Sequence, residues 1–495
     1  MVLMVVKARL PKRAALATQA AKPYENQIIP NPDTRAIAMS SQQTEPNAPR
    51  GLAGLNSYQW FVFAMAALAW MFDCLDQQIF LLARPWAMED LLPEGWDPKL
   101  YGGYSTSIFV AGWATGGLIF GALGDRIGRA RTLTLTVLLY SVCTGLSAFS
   151  TGWADFAIYR FVTGLGVGGV FGLAVALVAD SLPSDARPMA LGLLQALSAV
   201  GNITAGVVSI VMAELGKNGV INPAHAWKYM FLVGSLPAFL CVFIQVRLKE
   251  PEKWLKAREA SRETGQKFGS YSDLFTHPRW RGHALLGMLL CIAGVVGLWG
   301  IGFFSPELVG DVIGASLKAQ NLSESEVASQ KQFWIGINMI IQNTGSFFGM
   351  LSFAWLAQTI GRKGAFSIGF VAAFAATFAY FRFFDGMEDL WMSAVMGFFQ
   401  LALFAGFAIY LPELFPLRLR STGTSFCYNV GRFIAASGPF TMGVLAARLS
   451  AGATDPAAKL EAFRSACCWM SAVFLLGLVA VALLPETKGQ PLPED

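Results

Sequence analysis

Long apolar runs alternate with short polar connections along this chain, and each run is about twenty residues, the length that crosses ~30 Å of hydrocarbon at ~1.5 Å per residue. The pattern predicts twelve membrane-spanning helices, near 57–84, 101–123, 132–150, 155–179, 189–213, 228–248, 283–305, 333–357, 365–384, 389–412, 422–447 and 464–484. Lys and Arg gather in alternate connections: "GDRIGRAR" (124–131), "GRK" (361–363), "PLRLR" (416–420) and the basic stretch 247–281, whereas 151–155 and 385–389 hold neither. That bias orients the basic loops, and with them both termini, toward the cytoplasm.

Composition agrees: of 495 residues 54% are hydrophobic and 14% charged, and the mean hydropathy is +0.49. The net charge of +5 is topological, and no nucleic-acid partner is expected. Seven cysteines lie in or beside apolar spans and three histidines do not cluster, so neither a disulfide scaffold nor a metal site is indicated. There is no nucleophile with a base, no metal cluster and no nucleotide loop, so an enzyme is not expected, and no cofactor. Residues 1–55 read as a disordered cytoplasmic tail, with a targeting peptide or a true start at Met39 as alternatives.

An internal repeat sets the organisation. Arg129 and Arg362, Asp180 and Glu413, and Arg187 and Arg420 are each 233 residues apart, and Pro251 and Pro485 are 234 apart. The reading is an all-α membrane protein of two pseudo-symmetric six-helix halves, 56–248 and 282–485, joined by a basic linker 249–281 and followed by a tail 486–495. A substrate would lie between the halves. The repeated Arg and acid residues at neighbouring helix ends could pair when an inner gate is closed and part when it opens, or could only enforce topology and cap helices. Asp125 has Gln358 as its counterpart, so the second copy should hold less firmly.

Over roughly 55–490 the chain resembles the major facilitator superfamily, whose loop signature is similar to "GALGDRIGRAR". The segments "RFVTGLGVGG" (160–169), "PEKWL" (251–255), "YLPELFPLRLRSTG" (410–423) and "PETKGQPLPE" (485–494) resemble the sugar porters and related organic-acid symporters. The resemblance implies a conformational gate of Gly121, Asp125, Arg126, Gly128, Arg129, Asp180, Arg187, Arg362, Glu413 and Arg420. It pairs Asp76 with Arg160 as in proton-coupled sugar porters, and "FDCLDQ" (72–77) is similar to the first-helix signature of aromatic-acid and sialate symporters. The paired glutamines of sugar porters are missing from the seventh span, and Arg432 stands where those carriers have an aromatic residue.

A charge in a membrane helix costs roughly 2.5–3.5 kcal/mol and so faces a cavity or a partner. Asp73, Asp76 and Gln77, at i, i+3 and i+4, are expected to line one cavity, with Asp76 and Arg160 at similar depth. Proton coupling is assigned to Asp76, Arg160 and Asp73; a static ion pair is the alternative. Arg432, near mid-membrane, suits a substrate carboxylate, and Gln77, Gln195, Asn202, Asn338, Gln342, Asn343, Gln400, Tyr428 and Asn429 are the polar groups that could orient a ligand or glue helices. The reading is a monomeric plasma-membrane carrier, a proton symporter for an aromatic acid, sugar acid or monocarboxylate. The alternatives are a proton-linked or facilitative sugar carrier and a non-transporting sensor.

Overall fold

The computed structural model describes residues 51–222, 225–236, 247–318, 320, 323–435, 445, 448–449 and 455–494. The tail expected at 1–55 lies outside them up to residue 50, and the spans expected at 228–248 and 422–447 run into residues outside them. Every regular element among the described residues is helical. In chain order these are α1 (Ser57–Leu91), α2 (Pro98–Ile127), α3 (Arg129–Ser147), α4 (Trp153–Ser181), α5 (Arg187–Lys217), α6 (Ala226–Gly234), α7 (Glu252–Thr264), α8 (Tyr271–Thr276), α9 (Pro278–Gly300), α10 (Ser305–Lys318), α11 (Glu324–Ile360), α12 (Arg362–Phe383), α13 (Trp391–Tyr410), α14 (Arg420–Ala435), α15 (Pro456–Ser471) and α16 (Val473–Leu483).

Eight stretches among the described residues are long and apolar enough to cross a bilayer, against the twelve expected: Ser57–Leu91, Leu100–Ile127, Trp153–Ser181, Arg187–Gly216, Pro278–Lys318, Arg362–Phe383, Met387–Glu413 and Ala457–Leu483. The helices α3 and α11 are outside that set. The first carries Arg129, Arg131 and a row of Thr and Ser, and the second carries Asn338, Gln342, Asn343 and Gln358. The span expected at 283–305 ends at Gly300 and turns through Gly302–Phe304 into α10. Large apolar side chains face outward, among them Phe149 (70% exposed) and Trp469 (73%), as a lipid-facing surface requires.

Helix ends follow from local chemistry. Asn56 and Gln59 form a reciprocal capping box at the start of α1, as Ser323 and Glu326 do for α11. Between α2 and α3, and again between α11 and α12, the chain turns on Gly128 (φ +118°) and Gly361 (φ +91°), where a side chain would be strained. A carboxylate then covers each new helix N-terminus: Glu250 accepts from Ala130 N and Arg131 N, and Glu486 accepts from Arg362 N and Lys363 N. Burial favours the neutral form of Glu486, but backbone N–H groups of Arg362, Lys363, Lys488 and Thr487 outweigh it and hold the carboxyl below its usual range.

Glycines let the helices touch. A Cβ on Gly116 of α2 would lie 1.9 Å from Leu165 O of α4, and one on Gly168 would lie 2.0 Å from Trp113 O. The same contact recurs 233 residues later, where a Cβ on Gly345 or Gly349 of α11 would lie 2.0 Å from the carbonyl oxygen of Ala394 or Phe398.

Candidate functional site

A cavity of about 450 Å³ opens between the N-terminal and C-terminal helices. Trp70, Cys74, Gln77 and Arg84 reach it from α1, Trp113 from α2, Gln195 and Asn202 from α5, Trp299 from α9, Gln342 and Asn343 from α11, Phe404 from α13, and Tyr428 and Arg432 from α14. Its only charged lining residues among those described are Arg84 and Arg432; no Asp or Glu lines it. The Arg432 guanidinium carbon lies 3.5 Å from the Trp113 ring centre and 4.5 Å from that of Tyr428, which itself stacks on Phe171 at 3.8 Å. Ring faces attract the cation but leave its edge free, and Arg432 Nε and Nη1 have no hydrogen-bond partner. Asn202 Nδ2 donates to Asn343 Oδ1 at 3.0 Å, and both residues line the cavity.

Seven of the ten residues assigned to substrate therefore reach the cavity: Arg432, Gln77, Gln195, Asn202, Gln342, Asn343 and Tyr428. The other three are absent from its wall. Asn338 bonds Ser305 and Ser393, and its Oδ1 accepts from Tyr380. Gln400 donates to Thr377 Oγ1, and Asn429 donates to Gly168 O and Ser425 O against Gly117. Each joins helices, the commoner use of an amide in a membrane bundle.

The expectation that Asp73, Asp76 and Gln77 line one cavity fails for the two acids, both fully buried outside its wall. At about 100° per residue, Asp76 and Gln77 point a quarter-turn apart, so Gln77 faces the cavity while Asp76 faces α3 and α4. Thr144 Oγ1 donates to Asp76 Oδ1 at 2.6 Å, and Arg160 Nη1 stands 4.0 Å from Asp76 Oδ2. Arg160 is held chiefly by hydroxyls, Ser147 at 2.8 Å, Thr163 at 3.1 Å and Thr144 at 3.2 Å, beneath the Phe231 ring. Asp73 Oδ2 accepts from Gln77 Nε2 at 2.8 Å. Sequence reasoning overlooked Arg84, although an arginine in an apolar span is the same signal that singled out the aspartates. It also overlooked Thr144, Ser147 and the aromatic walls, which have no such signal in a chain with 38 Phe and 14 Trp.

At the end carrying the basic loops the two sets of helices are tied together. Arg129 Nη2 lies 3.2 Å from Asp125 and 3.1 Å from Asp180, and it donates to Leu417 O at 2.7 Å. Asp125 also accepts from Ser421 N, Thr422 N and Thr422 Oγ1 at the start of α14, and Arg420 pairs with Asp180. Gly121 lets α2 approach Ser425, and Arg126 donates to Gly269 O. Arg362 grips Glu413 with two bonds of 2.7 and 3.0 Å, which repeats the Arg129 to Asp180 pair 233 residues on. Arg187 donates to Leu182 O, its Nε has no partner, and Gln358 Nε2 has none either. Among the described residues no group of three His, Cys, Asp or Glu side chains is placed to hold a metal ion.

A multi-pass helical bundle with a pocket of aromatic, amide and arginine side chains between its helices and a charged clasp at one end has the build of a membrane transporter. The chain belongs to the major facilitator superfamily, whose model matches residues 60–392. This is a family of transporters, not enzymes. The chain is 26% identical to a cis,cis-muconate transport protein of Acinetobacter baylyi over 80% of its own length and 90% of the relative's. It is 25% identical to the niacin transporter NiaP of the same organism, over 78% and 87%. Among solved structures it is similar in fold to the proton:xylose symporter XylE bound to a bromodeoxyglucose, with a TM-score of 0.67 at 18% identity over 88% of this chain and 98% of that one.

Proposed function

We propose that this protein is a secondary carrier that moves a small organic anion by alternating access, with a proton as the coupling ion. The observation that carries the reading is Arg432: a guanidinium with two unpartnered nitrogens, set against the Trp113 and Tyr428 rings in a cavity with no acid in its wall among the described residues. Asp73 lies within electrostatic reach but makes no ion pair with this cation; a buried cation so incompletely paired is costly, and a carboxylate on the substrate would complete it. The relatives named for muconate and niacin support the same class. In this reading twelve helices form two halves, 56–248 and 282–485, around linker 249–281. Both termini are cytoplasmic, the protein is a monomer in the plasma membrane, and the clasp at the basic loops is the closed inner gate.

The proton acts at Asp76. Its Oδ2 and Arg160 Nη1 face each other at 4.0 Å, each without a hydrogen bond. Because hydroxyls already hold Arg160, Asp76 can take a proton without stranding the guanidinium, and the pair can close when the proton leaves. Asp73, bonded to Gln77 and within electrostatic reach of Arg432, links the cavity to the same helix. The amides Gln195, Asn202, Gln342 and Asn343 would suit a neutral sugar instead, which is the second reading.

Binding of carboxylates, their amides and sugars to purified protein separates the two. A carboxylate should weaken progressively through Arg432, Arg432→Lys and Arg432→Gln. Breaking a desolvated charge pair costs ~2–5 kcal/mol, about thirtyfold or more. A well-folded Arg432→Gln protein that keeps wild-type affinity for its best ligand would leave the sugar reading in place.

A further inference from the structure

Arg84 is a second cation in the cavity, separate from Arg432. It stands on α1 seven residues beyond Gln77, lines the same space and donates from Nη1 to Thr106 Oγ1 of α2. Its partner is a hydroxyl and not a carboxylate. Thr106 lies seven residues before Trp113, the ring against which the Arg432 guanidinium rests. Residues seven apart share a helix face and are separated by about 10 Å along the axis. The positions of α2 that the two guanidiniums touch are therefore set roughly 10 Å apart along one face of that helix, and that spacing is taken for the two cations. Between them the wall is made of aromatic, aliphatic and amide groups, with no acid among the described residues.

Two cations facing one cavity, with Asp73 near Arg432 but no carboxylate in the wall among the described residues, repel each other through a medium of low dielectric, a cost that a ligand negative at both ends relieves. We infer that Arg84 is a second anion subsite and that the ligand class is a short dianion, with one carboxylate at Arg432 and the other at Arg84. With N–H···O contacts of about 2.8 Å at each end, the separation takes a diacid of roughly three to six carbons, the longer ones lying oblique to the helix axis. This rests on the anion reading of Arg432 but is not required by it, since a monocarboxylate would need Arg432 alone.

The test uses full-length protein in lipid nanodiscs and compares malonate, succinate, glutarate and adipate with their monomethyl esters. The best diacid should bind at least about tenfold more tightly than its monoester, equivalent to about 1.4 kcal/mol. Arg84→Gln should abolish that difference while changing monoester affinity by less than about twofold, and Arg84→Lys should restore part of it. Equal binding of diacid and monoester to the wild type would overturn the dianion subsite and leave the anion reading intact. So would a loss on Arg84→Gln that is as large for the monoester as for the diacid, which would mark Arg84 as a steering charge or a pin to Thr106. If neither diacids nor monoesters bind, or if Arg432→Gln leaves both unaffected, the anion reading itself falls and this subsite falls with it.

Discussion

Replacing Asp125 by alanine should shift the carrier toward the state in which the clasp is open. The carboxylate accepts from Thr422 N at 2.8 Å, Thr422 Oγ1 at 2.7 Å, Ser421 N at 3.2 Å and Arg129 Nη2 at 3.2 Å. Three of these four donors belong to the start of α14, across the seam between the N-terminal and C-terminal helices. Asp125 thus caps a helix on the opposite side of the clasp. Removing a capping side chain costs ~0.5–2 kcal/mol and one further hydrogen bond ~0.5–1.5 kcal/mol. The closed state should lose about 1–3 kcal/mol, while the open state, in which water would meet these donors, loses little. The ratio of closed to open carrier should fall by about five- to 150-fold at ~1.4 kcal/mol per decade. Hydrogen–deuterium exchange in nanodiscs reads this directly, as faster exchange at 121–131 and 417–425 with the cavity-lining part of α1 unchanged. Uptake should slow while ligand affinity changes little. If thermal stability drops but exchange at those two segments is unaltered, the network supports the fold in both states equally and the gate assignment is wrong.

Two further substitutions bear on coupling and on the seam. Asp76→Asn should abolish uptake driven by a pH gradient yet leave exchange between equally loaded compartments, because the amide resembles the protonated acid and cannot release a proton; undiminished accumulation in proteoliposomes would remove Asp76 from coupling. Gln358→Glu should act opposite to Asp125→Ala, because it places an acid in the cleft that Arg187 lines with its Nε unpartnered; slower deuterium uptake at 183–190 is the expected result, and faster uptake there would refute it.

Much of the fold was legible in the sequence because bilayer thickness and loop charge impose simple rules, and the 233-residue repeat was visible in Arg129, Arg362, Asp180 and Glu413 alone. The helices expected at 132–150 and 333–357 are present as α3 and α11, but they are less apolar than the other spans because their polar rows are used in tertiary contacts: Thr144 and Ser147 on Arg160, Asn338 on Ser305 and Ser393. The site was half legible. Charged and amide residues announce themselves in an apolar span, but which way each points is fixed by the neighbouring helices. Asp76 and Gln77 are adjacent in sequence, yet one meets Arg160 and the other the cavity. Asn429, read as a ligand contact, fills the gap that Gly117 leaves on α2. Only a partner 312 positions away in the chain decides that.

The repeat and its lapses together define what can move. Within each set of helices the stabilising contacts are duplicated: Gly112 and Gly116 pack α2 on α4 as Gly345 and Gly349 pack α11 on α13, and Arg129 bridges to Asp180 as Arg362 does to Glu413. In the proposed two-half reading such contacts would persist whichever way the carrier faces, and so would not bias the conformational balance. Only ties that cross the seam can do that, since only they differ between the two states. At the clasp those ties are not duplicated. Asp125 holds α14 and Arg420 reaches Asp180, whereas their counterparts Gln358 and Arg187 make no equivalent bond. A seam fastened on both sides would deepen the closed state by the worth of a second set of such ties and slow every opening. In the proposed gate reading, the degenerate second copy leaves one side of the clasp loose, and the polar ties that opening would break at that end are those around Asp125, Arg129 and Asp180.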